Sequence, residues 1–449
     1  MLGYEKEQRS LNTEQKKALG LLSIGTFLEY FDLMLYVHMA VLLNELFFLP
    51  TDSHSSKLIS AFAFCSTFVF RPVGALIFGW IGDNIGRKST IVITTAFMAL
   101  TCGVMAILPT YAQIGLTASI AITLCRIIQG MSSMGEIVGA ELYMTEITQP
   151  PVQYSSVALI GCLSAAGGMG ALAVASFVTS YGLSWRYAFL AGAFIAVIGT
   201  VARKALRETP DFANAKKQLK RLLEQANIDK EKLENNPIWK EKVNIKTFLA
   251  LFLMDCTWPV CFYFLYFYCS NILKTSFGYS AEEVIHHNFW VSVVHFTSTV
   301  LLIYLSYKIY PLKIVKARLI VFFGFALICP YLISTVSSPL ELFFIQSFFI
   351  CFRPDHSTGI PIFFKYFPIF KRFTSISLSF ATSRAFMHVV TSFGFVYLME
   401  YFSNWGLLII MLPTAVAFLF GISHFETLEK KNENYLEKNP HLDLELKVV

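Results

Sequence analysis

The sequence predicts an all-α membrane protein whose chain crosses the bilayer about twelve times. Three observations lead to that class. Hydrophobic residues fill 55% of the 449 positions, with 43 Phe, and charged residues only 15%, a balance that a soluble fold has too little interior to hide. The apolar residues fall in runs of about 20, the length a helix needs to cross roughly 30 Å of hydrocarbon; 91–108 and 157–178 are two of them. The segments lack the strict alternation over about ten residues that a membrane β-barrel requires.

Reading the runs against their charged and Pro/Gly punctuation places helices at 18–44, 58–82, 89–109, 114–145, 153–181 and 186–203. A second group is expected at 247–274, 284–306, 315–335, 339–367, 374–400 and 404–425. The first run carries acids and ends without a small-residue cleavage site, so it is read as a retained helix and not as a signal peptide. Between the groups lies a polar stretch, 204–246, whose periodic part at 216–234 reads as a surface helix. The chain thus divides into a six-helix bundle (1–203), a linker (204–246), a second bundle (247–425) and a tail (426–449).

The formal charge of +6 would suggest nucleic acid in a soluble protein. Here Lys and Arg gather at the N-terminus (Lys6, Arg9, Lys16, Lys17), at Arg87 and Lys88, in the linker, at 308–318, at Lys371 and Arg372, and in the tail. The intervening connections are poorer in them, which is the positive-inside pattern and predicts both termini in the cytoplasm. No nucleic-acid partner is expected, and the bilayer itself is one. All nine cysteines lie inside apolar segments without metal-site spacing, so neither disulfides, zinc nor any other cofactor is expected.

Charged side chains at bilayer depth are costly and usually face a cavity or a partner. Glu29 and Asp32 share a helix face with Tyr36, roughly 16 to 21 Å from the start of the first helix and near the midplane. Arg126 in the fourth helix lies at a depth similar to Glu29 and is its natural counter-ion if the two helices adjoin. Glu136 falls about 15 Å further along and needs another partner. A carboxylate beside an Arg in a low-dielectric cavity can exchange a proton when its surroundings change, and a purely structural ion pair is the competing reading. Arg71 precedes Pro72, which frees a backbone carbonyl in the second helix; Arg71 either binds a substrate carboxylate or packs helices.

The sharpest local pattern is Gly79-Trp80-Ile81-Gly82-Asp83-Asn84-Ile85-Gly86-Arg87-Lys88, between the second and third helices. Its glycines permit a tight turn and close helix approach, while Asp83 can pair with Arg87 and cap the following helix. This loop resembles the hallmark of the major facilitator superfamily. Leu28-Glu29-Tyr30-Phe31-Asp32, Phe70-Arg71-Pro72, Arg126-Ile127-Ile128-Gln129-Gly130, Gly135-Glu136 and Leu206-Arg207-Glu208-Thr209-Pro210 narrow the resemblance to its metabolite:proton symporters, among them proline/betaine carriers.

The resemblance spans 18–212. It implies the major facilitator fold, two six-helix bundles around a cavity exposed alternately to each side, in a bacterial inner membrane, with the proton gradient as energy source. It also implies coupling or binding roles for Glu29, Asp32 and Arg126, and switch roles for Gly79, Asp83, Gly86, Arg87 and Lys88. Glu208, by analogy, pairs with Arg87 or Lys88 in one state.

The second half departs from the pattern, with Tyr307-Lys308-Ile309-Tyr310-Pro311 where relatives repeat a hallmark-like loop. It keeps Asp255, His295, Arg353, Asp355, His356, Arg384 and His388 at membrane depth, with Arg353, Asp355 and Arg384 as site candidates. Arg353 and Asp355 either meet substrate or neutralise each other. The aromatic run 262–268 is read as packing rather than as a cation-attracting wall.

The expected function is proton-coupled uptake of a small zwitterion such as proline or glycine betaine. The alternatives are a symporter for a small carboxylate such as α-ketoglutarate or citrate, and a non-transporting sensor on a degenerate scaffold. No enzyme motif is present.

Overall fold

Local chemistry starts and stops the helices. In the computed structural model, residues 7–48, 67–204, 206–209, 213–214 and 241–438 are described. Helix α1 (Thr13–Phe47) opens on a reciprocal cap: Gln15 N donates to Asn12 Oδ1 at 2.8 Å, and Asn12 N donates to Gln15 Oε1 at 3.0 Å. Ser280 and Glu283 build the same device ahead of α8 (Ala281–Lys308). Gly278, in the left-handed region at φ 68°, stops α7 (Ile245–Phe277).

The remaining helices are α2 (Arg71–Asn84), α3 (Arg87–Ile107), α4 (Leu116–Ile147), α5 (Val152–Ser180) and α6 (Arg186–Arg203) in the first half. The second half adds α9 (Pro311–Thr335), α10 (Pro339–Phe352), α11 (Arg372–Phe402) and α12 (Gly406–Lys438). Among the described residues there is no β-sheet, only an isolated bridge between Gln8 and Pro151. Residues 58–66 of the second predicted helix, the surface helix at 216–234, the tail beyond 438 and the side chain of Glu136 lie outside what is described.

Helix ten was expected as one element over 339–367, and the structure breaks it. Pro354 disfavours the α region for Arg353, whose ψ is 145°, so α10 ends at Phe352. A 3-10 turn (Ser357–Gly359) and a short helix (Ile360–Phe364) follow. The freed backbone is satisfied locally: Ser357 N donates to Asp355 Oδ1 at 2.9 Å and Gly359 N to His356 O at 2.8 Å. Inside α7, Phe264–Tyr268 form a π-helical turn.

Helix packing reveals a repeat. In the first half α1 packs on α5 and α6, α3 on α4 and α6, and α2 on α4. Adding six to each number gives pairs that also pack in the second half: α7 on α11 and α12, α9 on α10 and α12, and α8 on α10. The two halves meet through α5 against α8 and α2 against α11, which the same operation exchanges. This is the two-bundle major facilitator architecture. Among the described residues six stretches, Arg87–Ile107 and Val152–Val178 included, are by length and hydropathy alone able to cross a bilayer. Large apolar side chains stand exposed on the outer faces, as with Leu100 at 61% and Ile320 at 72%, where hydrocarbon would cover them.

Candidate functional site

Four of the first-half charges form two buried pairs. Arg126 Nη1 lies 2.7 Å from Asp32 Oδ2 and donates to Gln129 Oε1 at 2.8 Å. Gln129 Nε2 donates to Asp32 Oδ1 at 3.1 Å, and the Arg126 guanidinium sits over the Tyr36 ring at 4.1 Å. Glu29 pairs instead with Arg71, Oε1 to Nη2 at 3.5 Å, while Arg71 stacks over Phe68 at 4.6 Å. The expected Glu29–Arg126 match is therefore corrected: Arg126 takes Asp32, one turn further along α1. Both pairs lie inside the first bundle, between α1 and its neighbours.

A cavity of about 120 Å³ opens between the halves. From α1 it is lined by Thr26, Tyr30 and Met34, a stripe one turn apart that is offset from Glu29 and Asp32. Arg71 and Arg126 do not line it, whereas Arg353, Asp355 and Arg384 do. Glu141 of α4 and Asp255 of α7 line it as well, each 8% exposed or less. The lining thus carries both signs of charge.

Asp355 stands 3.9 Å from both Arg318 and Arg353, so two guanidiniums share one carboxylate, and Arg353 Nη2 also reaches His295 Nε2 at 3.0 Å. Mutual neutralisation of Arg353 and Asp355 is thus incomplete: the cluster keeps a surplus positive charge at the break in helix ten. Across the cavity His356 Nε2 is 3.4 Å from Asp255 Oδ1, and Ser379 Oγ donates to Asp255 Oδ2 at 3.3 Å. Arg384 donates to the Asp255 carbonyl at 2.8 Å and is held over Trp258 at 4.5 Å and Phe380 at 4.1 Å. The aromatic run divides its labour. Phe262, Leu265 and Tyr266 line the cavity, while Tyr263 stacks on Phe395 and Phe264 packs at a tilt against Phe349. The cation over Trp258 is the protein's own arginine.

The segment 79–88 bridges the two halves. Asp83 accepts from Phe373 N at 3.1 Å, Thr374 N at 2.8 Å and Thr374 Oγ1 at 2.6 Å. It therefore caps α11 in the other half and not the helix that follows it, which is where the sequence reading placed it. Arg87, fully buried, pairs with Asp83 at 3.0 Å and Glu146 at 3.3 Å and donates to Ile369 O at 2.9 Å across the interface. Arg372 reaches the same Glu146 at 3.4 Å.

Glu208 receives the backbone N–H groups of Arg87 at 3.0 Å and Lys88 at 3.4 Å. It caps α3 through these two N–H groups. Gly86 makes this possible: its φ is 152°, and a Cβ there would collide with Glu208 Oε2. Gly79 lets α11 approach, since a Cβ would lie 2.8 Å from Thr374 Cα.

Sequence reasoning overlooked Glu141, Glu146 and Arg318. Glu141 follows Ile137 and Val138 by one helical turn, on the cavity face, whereas the stripe followed in the sequence was that of Gln129 and Glu136. The signal was present, since an acid inside an apolar helix is a functional candidate wherever it points.

The paired bundles, with a charged cavity between them, form a membrane-transporter fold. A family model described as Major Facilitator Superfamily matches residues 22–370, and the chain belongs to that family. The chain is 34% identical over 230 residues to the inner membrane metabolite transport protein YhjE of Escherichia coli (strain K12), covering 49% of this chain and 52% of that one. It is 35% identical over 212 residues to a Staphylococcus aureus (strain COL) protein named "Putative proline/betaine transporter", covering 44% of each. The chain thus spans about half the length of the curated relatives it matches.

Among solved structures it resembles the proton:xylose symporter XylE, with a TM-score of 0.70 at 15% identity over 91% of this chain and 95% of that one. It also resembles the human organic anion transporter MFSD10, with a TM-score of 0.62 at 15% identity over 92% and 100%. At that identity the likeness concerns the fold alone.

Proposed function

We propose that the chain is a proton-coupled importer of a small zwitterion such as proline or glycine betaine, in a bacterial inner membrane with both termini in the cytoplasm. One observation carries this reading: the cavity is small and lined by both signs of charge, Arg353 and its surplus charge near one wall and Asp255 on another. A cavity of about 120 Å³ compares with one that holds a benzene-sized guest, which favours proline or betaine over a tricarboxylate. The half-length relative named as a proline/betaine transporter supports the same class. Glu29, Asp32, Arg71 and Arg126 then tie the first bundle together and transmit the charge state of the cavity to it. Asp83, Arg87 and Lys88 form the cytoplasmic gate.

The test is uptake into proteoliposomes. Acid outside should stimulate accumulation of labelled L-proline or glycine betaine, and a protonophore should abolish it; exchange indifferent to the gradient would overturn symport. A second reading, a small-carboxylate symporter, draws on the shared Arg318–Asp355–Arg353 cluster. Competition by α-ketoglutarate or citrate that exceeds competition by proline and betaine would favour it.

A further inference from the structure

We propose that Glu141 of α4 is the proton-carrying carboxylate of the transport cycle, an inference that rests on the proton-coupled reading above. The other acids described at the cavity or midplane each have a basic side chain at hand. Glu29 has Arg71 at 3.5 Å, Asp32 has Arg126 at 2.7 Å, Asp255 has His356 at 3.4 Å, and Asp355 has two arginines at 3.9 Å. Glu141 is 8% exposed, lines the cavity, and its carboxylate makes no hydrogen bond or ion pair among the described residues.

The charged groups whose fields reach it are Asp255 from α7, Arg384 from α11, Asp355 from the helix-ten break and Glu29 from α1. Three of the four are acids. Arg384 is committed elsewhere, to the Asp255 carbonyl and between Trp258 and Phe380. A carboxylate buried under these conditions is neutralised by something that arrives through the cavity.

A proton fits better than a cationic ligand. An ammonium needs several acceptors or an open aromatic face, and Trp258 is flanked by Arg384 at 4.5 Å and a stacked Phe262 at 4.9 Å. Beside Glu141 the α4 wall is apolar, Ile137 and Val138. The placement also supplies the coupling. In this state α4 packs against α11 and the segment after α10, so separating the halves moves Glu141 away from Arg384, Asp255 and Asp355 together. Its charge is thus sensitive to which side of the cavity is open, whereas Asp32 and Arg126 travel as one body within the first bundle.

Infrared difference spectra of the full chain in lipid, stepped between acid and neutral pH with no substrate, test this with the proton itself as probe. The wild type should show a titrating carboxylic C=O band that is absent from Glu141→Gln, shifted in Glu141→Asp and retained in Asp255→Asn. A band unchanged in both Glu141 variants would overturn the proposal, and should Glu141→Gln not fold, the shift in Glu141→Asp decides.

In proteoliposomes, Glu141→Gln should lose acid-driven accumulation of L-proline or glycine betaine, and whatever exchange remains should no longer vary with pH. Abolished binding of both probes by folded Glu141→Gln would make Glu141 a substrate ligand and overturn the assignment. If the wild type itself ignores the gradient, the symport reading falls, while the infrared result still reports whether Glu141 is the protonation site.

Discussion

Asp32 and Arg126 show why a charge inside a bilayer is informative yet ambiguous. Their 2.7 Å contact is completed by Gln129, so each charge is matched where it lies. Removing one partner should cost far more than removing both, because the survivor is left buried and uncompensated. Arg126→Ala is expected to lower stability by about 3–5 kcal/mol, read as a fall in unfolding temperature in detergent, and adding Asp32→Asn should restore most of it. If the double variant is as unstable as the single one, the pair is not what holds α1 to α4. Asp32→Asn alone should also impair acid-driven accumulation, since it leaves Arg126 uncompensated between α1 and α4; full concentrative uptake would remove Asp32 from the coupling network.

Among the elements, two acids cap helices that do not directly follow them in the sequence. Asp83 takes the free N–H groups at the start of α11, and Glu208 takes those at the start of α3. Asp83→Ala removes a charged cap worth about 1–2 kcal/mol and should shift the closed and open populations roughly tenfold toward open. Spin labels at Ile85 and Lys371 would read the change as a longer distance component. Gly86→Ala should be the more damaging change to α3 itself, because the backbone there has positive φ and the new methyl meets Glu208. Restoring room with Gly86→Ala/Glu208→Ala should recover only part of the loss, since the strain at φ 152° stays.

For the whole molecule the decisive feature is that two similar bundles touch along α2–α11 and α5–α8, so that closing one end and opening the other uses the same pair of contacts. Gly79 sits on the α2–α11 contact, where a Cβ would lie 2.8 Å from Thr374 Cα. Gly79→Leu should wedge the halves apart at the loop end, hold the cavity open there and reduce uptake at least about tenfold, with the spin-label distance lengthened as in Asp83→Ala. A variant that transports normally with an unchanged distance would show that this end is not the moving one.

Much of this was legible in composition and spacing. A bilayer accepts only segments whose backbone groups are satisfied internally, so the count of long apolar runs, their basic flanks and the loop Gly79-to-Lys88 suffice for the fold class. Intramembrane charges were legible too, but not their partners. Glu29 with Arg71, Asp32 with Arg126, Asp83 with α11 and Glu208 with the N-terminus of α3 join positions 42 to 291 residues apart where the hydrogen-bonded pairs are measured. Such pairings depend on which helix faces adjoin, and helical periodicity gives a face without saying what stands opposite it. The same holds for the cavity: Thr26, Tyr30 and Met34 look no more functional in the sequence than Glu29 and Asp32. The packing of α1 against α4 and α5 turns the acids inward and leaves Glu141 to face the space between the halves.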